Sequence, residues 1–278
     1  MNVTATSGKD DIEPFELFAI RYGHHAGRSQ HENFIGGDPH ESGSPLDYFV
    51  WVVRRAAQVY VIDTGFGPEA AAARGRQLLR MPADGIRLLG IDPDRVTDVI
   101  LTHLHYDHAG TLGSFPKARF HLQDSESAYA TGRCMCHGFF RQAFNVEDVV
   151  SLVRHLYAGR VVFHDGMGTL VPGLSLHHVG GHTAGLQVVR VRTRRGWVVL
   201  ASDATHLYAN MERGAPFPIV HSVAGMFEGY RVVRELADSA DHVIPGHDPL
   251  VMQRYPPPSP ELDGIVARLD IPPNYRRG

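Results

Sequence analysis

Cysteine is scarce in this sequence: Cys134 and Cys136 are the whole complement. One residue between them is too short a span for an easy intrachain bridge, so no disulfide framework is expected. A basic excess is missing too, because 27 Lys and Arg stand against 30 Asp and Glu for a formal net charge of -3, which argues against nucleic acid as a partner. No segment approaches the roughly 18 apolar residues of a membrane span. The opening stretch from Met1 to Pro14 is polar and acidic, without the basic start and apolar run of a secretory signal. Internal repeats and low-complexity linkers are absent. Together these absences describe a soluble cytoplasmic protein under reducing conditions, with neither membrane nor nucleic acid as partner and a homodimer left open. At 278 residues the chain exceeds the usual single-domain size. Layered α/β folds nevertheless reach this length as one unit, so one domain over 1-278 is expected, with a core at about 15-250 and a Pro-rich surface tail at 255-278.

Histidine is what the chain has in excess, with 18 copies, and their placement matters more than their number. The sequence predicts strands at Phe15 to Ile20, Tyr48 to Val53, Val59 to Ile62, Asp98 to Thr102 and Ala118 to Leu122. Further strands are predicted at Arg160 to Phe163, Leu174 to Val179, Leu186 to Val191, Trp197 to Ala201 and Val243-Ile244. Helices are expected at Pro68 to Met81, which opens on Pro, at Asp124 to Ala130, at Val146 to Tyr157 and at Ser222 to Leu236. The Gly-, His- and Pro-containing stretch from Gly23 to Pro45 reads as a lid loop. Strands and helices mixed along the chain in two strand-rich halves fit two central sheets covered by outer helices.

The apolar run Asp98 to Thr102 leads directly into His103-Leu104-His105-Tyr106-Asp107-His108, four metal-competent side chains within six residues. An extended or tightly turned backbone sends His103 and His105 to one side, while Asp107 and His108 face a second point nearby. Two adjacent metal sites follow. Imidazole and carboxylate ligands without thiolate suit Zn²⁺, and Fe, Mn or Co accept the same set. One segment cannot fill two coordination shells, and three further residues stand at predicted strand ends: His182 after Val179-Gly180-Gly181, Asp203 after Val198 to Ser202, and His247 after Val243 to Gly246. The glycines before His182 are expected to let the backbone pass close to a metal. Strand-end positions converging on one sheet edge are how α/β scaffolds assemble sites.

The ordered set HxHxDH, Gly-Gly-His-Thr, Ser-Asp-Ala and Pro-Gly-His, spanning Asp47 to His247, resembles the metallo-β-lactamase superfamily. The resemblance implies an αββα sandwich in the α/β (α+β) class. It further implies His103, His105 and His182 on one divalent metal ion, Asp107, His108 and His247 on a second, and Asp203 bridging the two. Asp63, in Val61-Ile62-Asp63-Thr64-Gly65, is similar to a family Asp that supports the metal site from behind its ligands.

Within that superfamily the chain resembles the acyl-homoserine lactonase, or quorum-quenching, branch. The implied activity is that of a dinuclear metal-dependent hydrolase opening a lactone with a hydroxide shared between the metals. Asp107, Asp203 and His206 are the catalytic candidates. Lactonases of the family commonly carry Tyr where this chain has His206, so either His206 takes over as donor, or Tyr208 reaches in, or the substrate differs. A β-lactamase is disfavoured because Asp203 holds the bridging position and no Cys lies near a ligand. A glyoxalase II-like thioester hydrolase and a mononuclear iron persulfide dioxygenase remain as alternatives. A nuclease would need a basic surface or an RNA-binding element, and a non-catalytic relative would usually have lost ligands. Among lesser signals, His24 and His25 open the lid and are candidates for substrate contact. Cys134-Met135-Cys136-His137 lacks a second pair to complete a metal site. His177 and His178 read as packing or surface residues. Leu207 to Tyr230 reads equally well as the wall of an apolar pocket or as a helix burying its apolar face.

Overall fold

The computed structural model describes residues 12–274. The opening stretch read for targeting signals falls largely within 1–11, outside the described residues, as do the last four positions of the tail. One sheet is built from β1 (Glu16–His25), β2 (Leu46–Arg55), β3 (Gln58–Ile62), β4 (Gln77–Leu78), β5 (Asp98–Ile100), β6 (Arg119–Gln123), β7 (Val161–His164) and, from the far end of the chain, β13 (Val266–Arg268). Its strands lie in the order β13-β1-β2-β3-β5-β6-β7, with β4 pairing β1. The other sheet, in the order β12-β11-β10-β9-β8, consists of β8 (Met167–Val171), β9 (Leu174–His178), β10 (Gln187–Thr193), β11 (Gly196–Ser202) and β12 (Val243–Pro245). Both sheets are mixed, since β3, β5, β6 and β7 run parallel, as do β11 and β12, while the remaining pairs are antiparallel.

The period-2 alternation of strand side chains explains the layering. In β1 and β2, Phe18, Ile20, Tyr48, Val50 and Val52 enter a core beneath the helices, whereas Leu17, Ala19, Phe49, Trp51 and Val53 face the other sheet. Leu176, Val189, Val198 and Leu200 meet them from that sheet. Its opposite face, with Val188, Val199 and Ala201, buries Met226, Tyr230 and Val233 of a long helix. The result is the expected αββα sandwich. Among the described residues, no helix is long and apolar enough to cross a membrane.

The helices are α1 (Gln30–Asn33), α2 (Pro68–Arg74), α3 (Pro82–Arg87), α4 (Tyr106–Ala109), α5 (Asp124–Ala130), α6 (Gly138–Arg141), α7 (Val146–Tyr157), α8 (Tyr208–Arg213), α9 (Val223–Leu236) and α10 (Leu250–Arg254). The expected α5 and α7 coincide with the observed ones, and the Ser222 side chain caps α9 by accepting from Gly225 N at 3.0 Å.

Three expectations need correction. The helix expected to reach Met81 stops at Arg74, because Gly75 takes the left-handed conformation (φ 62°) and turns the chain into β4. The lid expected from Gly23 begins later, since β1 continues to His25 through a bulge between Arg21 and Gly23, and α1 occupies part of the remainder. The tail beyond Arg254 is not a surface appendage: Tyr255, Val266, Ala267 and Leu269 are buried, and β13 pairs with β1 as an edge strand.

Candidate metal centre

The strand ends β3, β5, β11 and β12 meet at one edge of the sandwich, and backbone strain aims their side chains. Asp63 and Ser202, just after β3 and at the end of β11, both carry positive φ (61° and 45°), a conformation that costs a non-glycine residue of order 1–3 kcal/mol and persists where the surroundings over-determine it. Those surroundings are visible. Thr102 N donates to Asp63 Oδ1 at 2.7 Å, and Thr102 Oγ1 donates to Asp63 Oδ2 at 2.8 Å. Thr102 Oγ1 also stands 2.9 Å from Ser202 Oγ. One buried threonine thus ties three strand ends together. A second buried carboxylate, Glu126 on α5, accepts from Leu104 N at 2.9 Å and from Gly185 N at 3.0 Å, pinning the HxHxDH turn to the loop that follows His182.

On this frame all seven residues predicted as ligands come together. His103 Nε2 lies 3.1 Å from His105 Nδ1, and His182 Nε2 lies 3.2 Å from the first and 2.9 Å from the second. Beside this triangle, Asp107 Oδ2 stands 3.7 Å from both His108 Nε2 and His247 Nε2. Asp203 sits between the two groups with its oxygens divided. Oδ1 faces His247 Nε2 (3.0 Å) and His108 Nε2 (3.3 Å), while Oδ2 faces His182 Nε2 (3.3 Å) and His103 Nε2 (3.9 Å). All seven are buried.

The donor set fits cations better than protons. Three imidazole nitrogens mutually about 3 Å apart cannot satisfy one another, because a neutral ring offers one donor and one acceptor. Around a tetrahedral ion with bonds of about 2.0–2.1 Å, neighbouring nitrogens would sit roughly 3.3 Å apart, close to what is seen. Moreover, His108 Nε2 and Asp203 Oδ1 are buried without a hydrogen-bond partner, although orphaned buried polar atoms are costly. Burial pushes the pKa of His103, His105 and His182 below the ordinary histidine value, keeping their lone pairs free. For His108 and His247 burial acts in the same direction, but neighbouring carboxylates, Asp203 foremost, outweigh it and raise both. The same carboxylates would be balanced there by a metal ion.

The far ring nitrogens are held as well. His108 Nδ1 is 2.7 Å from Asp63 Oδ2, His182 Nδ1 is 2.6 Å from the Ile219 carbonyl, and His247 Nδ1 is 3.0 Å from the Asp47 carbonyl. Such contacts fix tautomer and ring orientation in metal-binding histidines. Asp63 therefore stands where the resemblance implied. Thr102, Ser202, Glu126 and Asp47 were not singled out from sequence: Thr102 and Ser202 read as polar residues closing an apolar run, Asp47 as one opening a strand and Glu126 as one more polar residue of a helix.

His206 joins the group, with Nε2 2.9 Å from Asp203 Oδ2 and its ring stacked on Phe217 at 3.3 Å and 8°. Tyr208 does not reach in: its ring is buried in the core between the sheets, under the Arg254 guanidinium. The glycine before His182 serves a different neighbour from the one expected, since a Cβ on Gly181 would lie 2.7 Å from Met226 N of α9. Of Leu207 to Tyr230, Phe217 and Met226 are buried core residues and Ile219 lines the cavity at the cluster. His177 is half-buried and His178 exposed, Cys134 and Cys136 are free thiols, and neither pair joins the candidate ligands. His24 and His25 are held by side chains, His24 Nδ1 at 2.7 Å from Asp47 Oδ1 and His25 between two arginines.

Residues 43–255 match the metallo-beta-lactamase superfamily. The chain belongs to that superfamily. Within it, the N-acyl homoserine lactonase AiiB of Agrobacterium fabrum is 30% identical over 206 residues, covering 67% of this chain and 74% of its own. An N-acyl homoserine lactonase of Bacillus sp is 25% identical over 224 residues, with 74% and 84% covered. The crystal structure of a quorum-quenching N-acyl homoserine lactone lactonase superposes with a TM-score of 0.71 at 22% identity, over 86% of this chain and 95% of that one, and so shares the superfamily fold.

Proposed function

We propose that this protein hydrolyses the ester bond of a lactone at a site for two divalent cations, Zn²⁺ being the ion that the imidazole and carboxylate set suits first. His103, His105 and His182 would hold one ion, Asp107, His108 and His247 the other, and Asp203 would be shared. The observation that carries this reading is the division of the Asp203 oxygens between two sets of imidazoles. Relatives named as N-acyl homoserine lactonases support the choice of a cyclic ester. When bound, such a pair supplies an acidified water near neutral pH and polarises the ester carbonyl.

The chain's own residues do the rest. Asp63 and the carbonyls of Ile219 and Asp47 hold three imidazoles in register, so that little reorganisation remains when charge develops. His206 Nε2, 2.9 Å from Asp203 Oδ2, would hold that carboxylate in place. Burial pushes the His206 pKa down to about 3 against the pull of Asp203, which leaves the ring neutral with Nδ1 unpartnered. Asp107, which lines the cavity, would take the proton released by the attacking water and return it to the ring oxygen as the C–O bond opens. The free thiols fit a cytoplasmic setting.

A hydrolysis panel on the metal-loaded protein tests the reading: acyl-homoserine lactones of several chain lengths, aromatic lactones, S-lactoylglutathione and a cephalosporin. Lactone opening is expected, with Asp203→Ala and His182→Ala each abolishing it. Full activity of either variant at stoichiometric metal loading overturns the assignment. Cleavage of the thioester alone puts glyoxalase II chemistry in its place, and oxygen uptake with a persulfide would replace hydrolysis by oxidation.

A further inference from the structure

The cavity at the candidate metal ligands is small, about 160 Å³, and three guanidinium groups, those of Arg28, Arg74 and Arg76, line it together with Asp107, Asp203, His206 and His247. Pockets for drug-sized ligands run to about 300–1,000 Å³ and are mostly apolar. Here the aliphatic contribution is limited to Leu46, Ala143 and Ile219, which offers little to a long acyl chain.

The three guanidinium groups are not equivalent. Arg74 is engaged in structure, donating to the carbonyls of Gln142 and Phe144 and to Asn145 Oδ1, with its guanidinium over the Tyr106 ring. Arg28 and Arg76 are under-satisfied. Both approach the same ring, Arg28 Nη1 at 3.3 Å from His25 Nδ1 and Arg76 Nη1 at 3.0 Å from His25 Nε2. A neutral imidazole accepts at one nitrogen only, so one of these contacts sets donor against donor. A protonated ring would be worse, with three cations together, and burial with the two arginines pushes the His25 pKa down to about 4. Arg28 is 9% exposed; its Nη2 donates to the Glu32 carbonyl at 2.6 Å, while its Nε is buried with no partner. Arg76 spends Nε on Tyr106 Oη and Nη1 on His25 and the Arg74 carbonyl, leaving Nη2 without a partner among the described residues. The nearby countercharge is partial. Glu32 Oε1 is 4.0 Å from Arg28 Nη1, while its other oxygen accepts from Ser29 N and Oγ. Burying the Arg28 guanidinium with so few acceptors is costly unless an anion completes the set, and the half-buried Arg76 has Nη2 open to the same anion.

We propose that Arg28 and Arg76, braced by His25, form a subsite for an anionic group, a carboxylate or phosphate, carried by a compact substrate opened at the metal centre. This rests on the lactone reading for the reaction and departs from it in substrate class, favouring a small acidic lactone over one with a long neutral acyl chain. Guanidinium pairs with such oxyanions through charge-assisted hydrogen bonds that neutral chains cannot offer.

The test has two arms on the metal-loaded protein. In the first, inorganic phosphate is titrated by calorimetry into the wild type and into Arg28→Met and Arg76→Met. Any phosphate taken by the metals contributes equally to all three, so the difference reports the guanidinium groups. Each variant is expected to bind at least about tenfold more weakly, the loss of one charged hydrogen-bonded pair, with Arg76→Lys retaining part of the affinity. In the second arm, KM and kcat are measured on matched lactones bearing a carboxylate, a phosphate ester or a neutral amide. The variants should raise KM for the preferred acidic lactone by about tenfold while leaving kcat and the neutral lactone within about twofold. The preferred acidic lactone identifies the natural anion. Phosphate affinity that is absent in the wild type or equal in the variants overturns the subsite, as does wild-type preference for the neutral lactone. Arginine-dependent phosphate binding without turnover of any lactone leaves the subsite standing and removes the lactone reading instead.

Discussion

At the scale of single residues, the candidate centre depends on groups that never face the cavity. Asp63 accepts from Thr102 N and Oγ1 and faces His108 Nδ1, so one buried carboxylate serves three contacts. Burial raises its pKa against the opposing pull of His108 and Thr102. An amide in its place offers one acceptor where the carboxylate offers two, and turns an N–H toward His108 or Thr102. Asp63→Asn should therefore weaken metal affinity roughly 10- to 100-fold, the usual effect of losing such a supporting contact. Competition with a chromophoric chelator measures this, and unchanged affinity would sink the assigned role. The candidate ligands were legible because histidines and aspartates at strand ends stand out against apolar runs. Thr102 and Ser202 were not, since hydroxyls paired across 100 positions leave no local pattern.

At the scale of elements, legibility followed burial. β2 and α7 declared themselves, β2 as an apolar run buried along most of its length and α7 by helical spacing. β8 did not, because this edge strand has no fully buried position and Met167 is exposed. The first turn of α7 carries a testable oddity. Asp148 is buried enough that desolvation pushes its pKa up to about 6, against lowering by Asn145 and Arg74, and its Oδ2 has no partner. A carboxyl whose pKa is higher folded than unfolded contributes stability in full below its unfolded value. That contribution is lost as pH rises through the folded one. Between about pH 4 and 6, then, this site turns from neutral to a burden on α7. Asp148→Asn should leave the melting temperature nearly unchanged at pH 4 and raise it at pH 8. An equal shift at both pH values would remove the ionisation argument.

At the scale of the whole molecule, the layered architecture could be read from the alternation of strand patterns, but the closure of the first sheet could not. Proline density made the segment after Arg254 look like a surface tail, and the short run Val266-Ala267-Arg268 is too brief to announce a strand. In the fold it completes the β1 edge, pairing Phe18 with Arg268, Ala19 with Ala267 and Ile20 with Val266. Arg268 and Asp270 then lock it, with Nε to Oδ1 at 3.0 Å and Nη2 to Oδ2 at 3.1 Å. Tyr255, Val266 and Leu269 are each buried, and burial of a large apolar side chain stabilises by about 1.5–3 kcal/mol. Three of them reach the order of a whole protein's net stability, about 5–15 kcal/mol. Removing residues 255–278 should leave β1 as an open apolar edge, prone to pairing between molecules, and yield aggregated protein. The milder Leu269→Ala separates packing from chain length. It should cost about 2–5 kcal/mol in urea unfolding, whereas a tail lying on the surface would change stability by no more than about 0.5 kcal/mol.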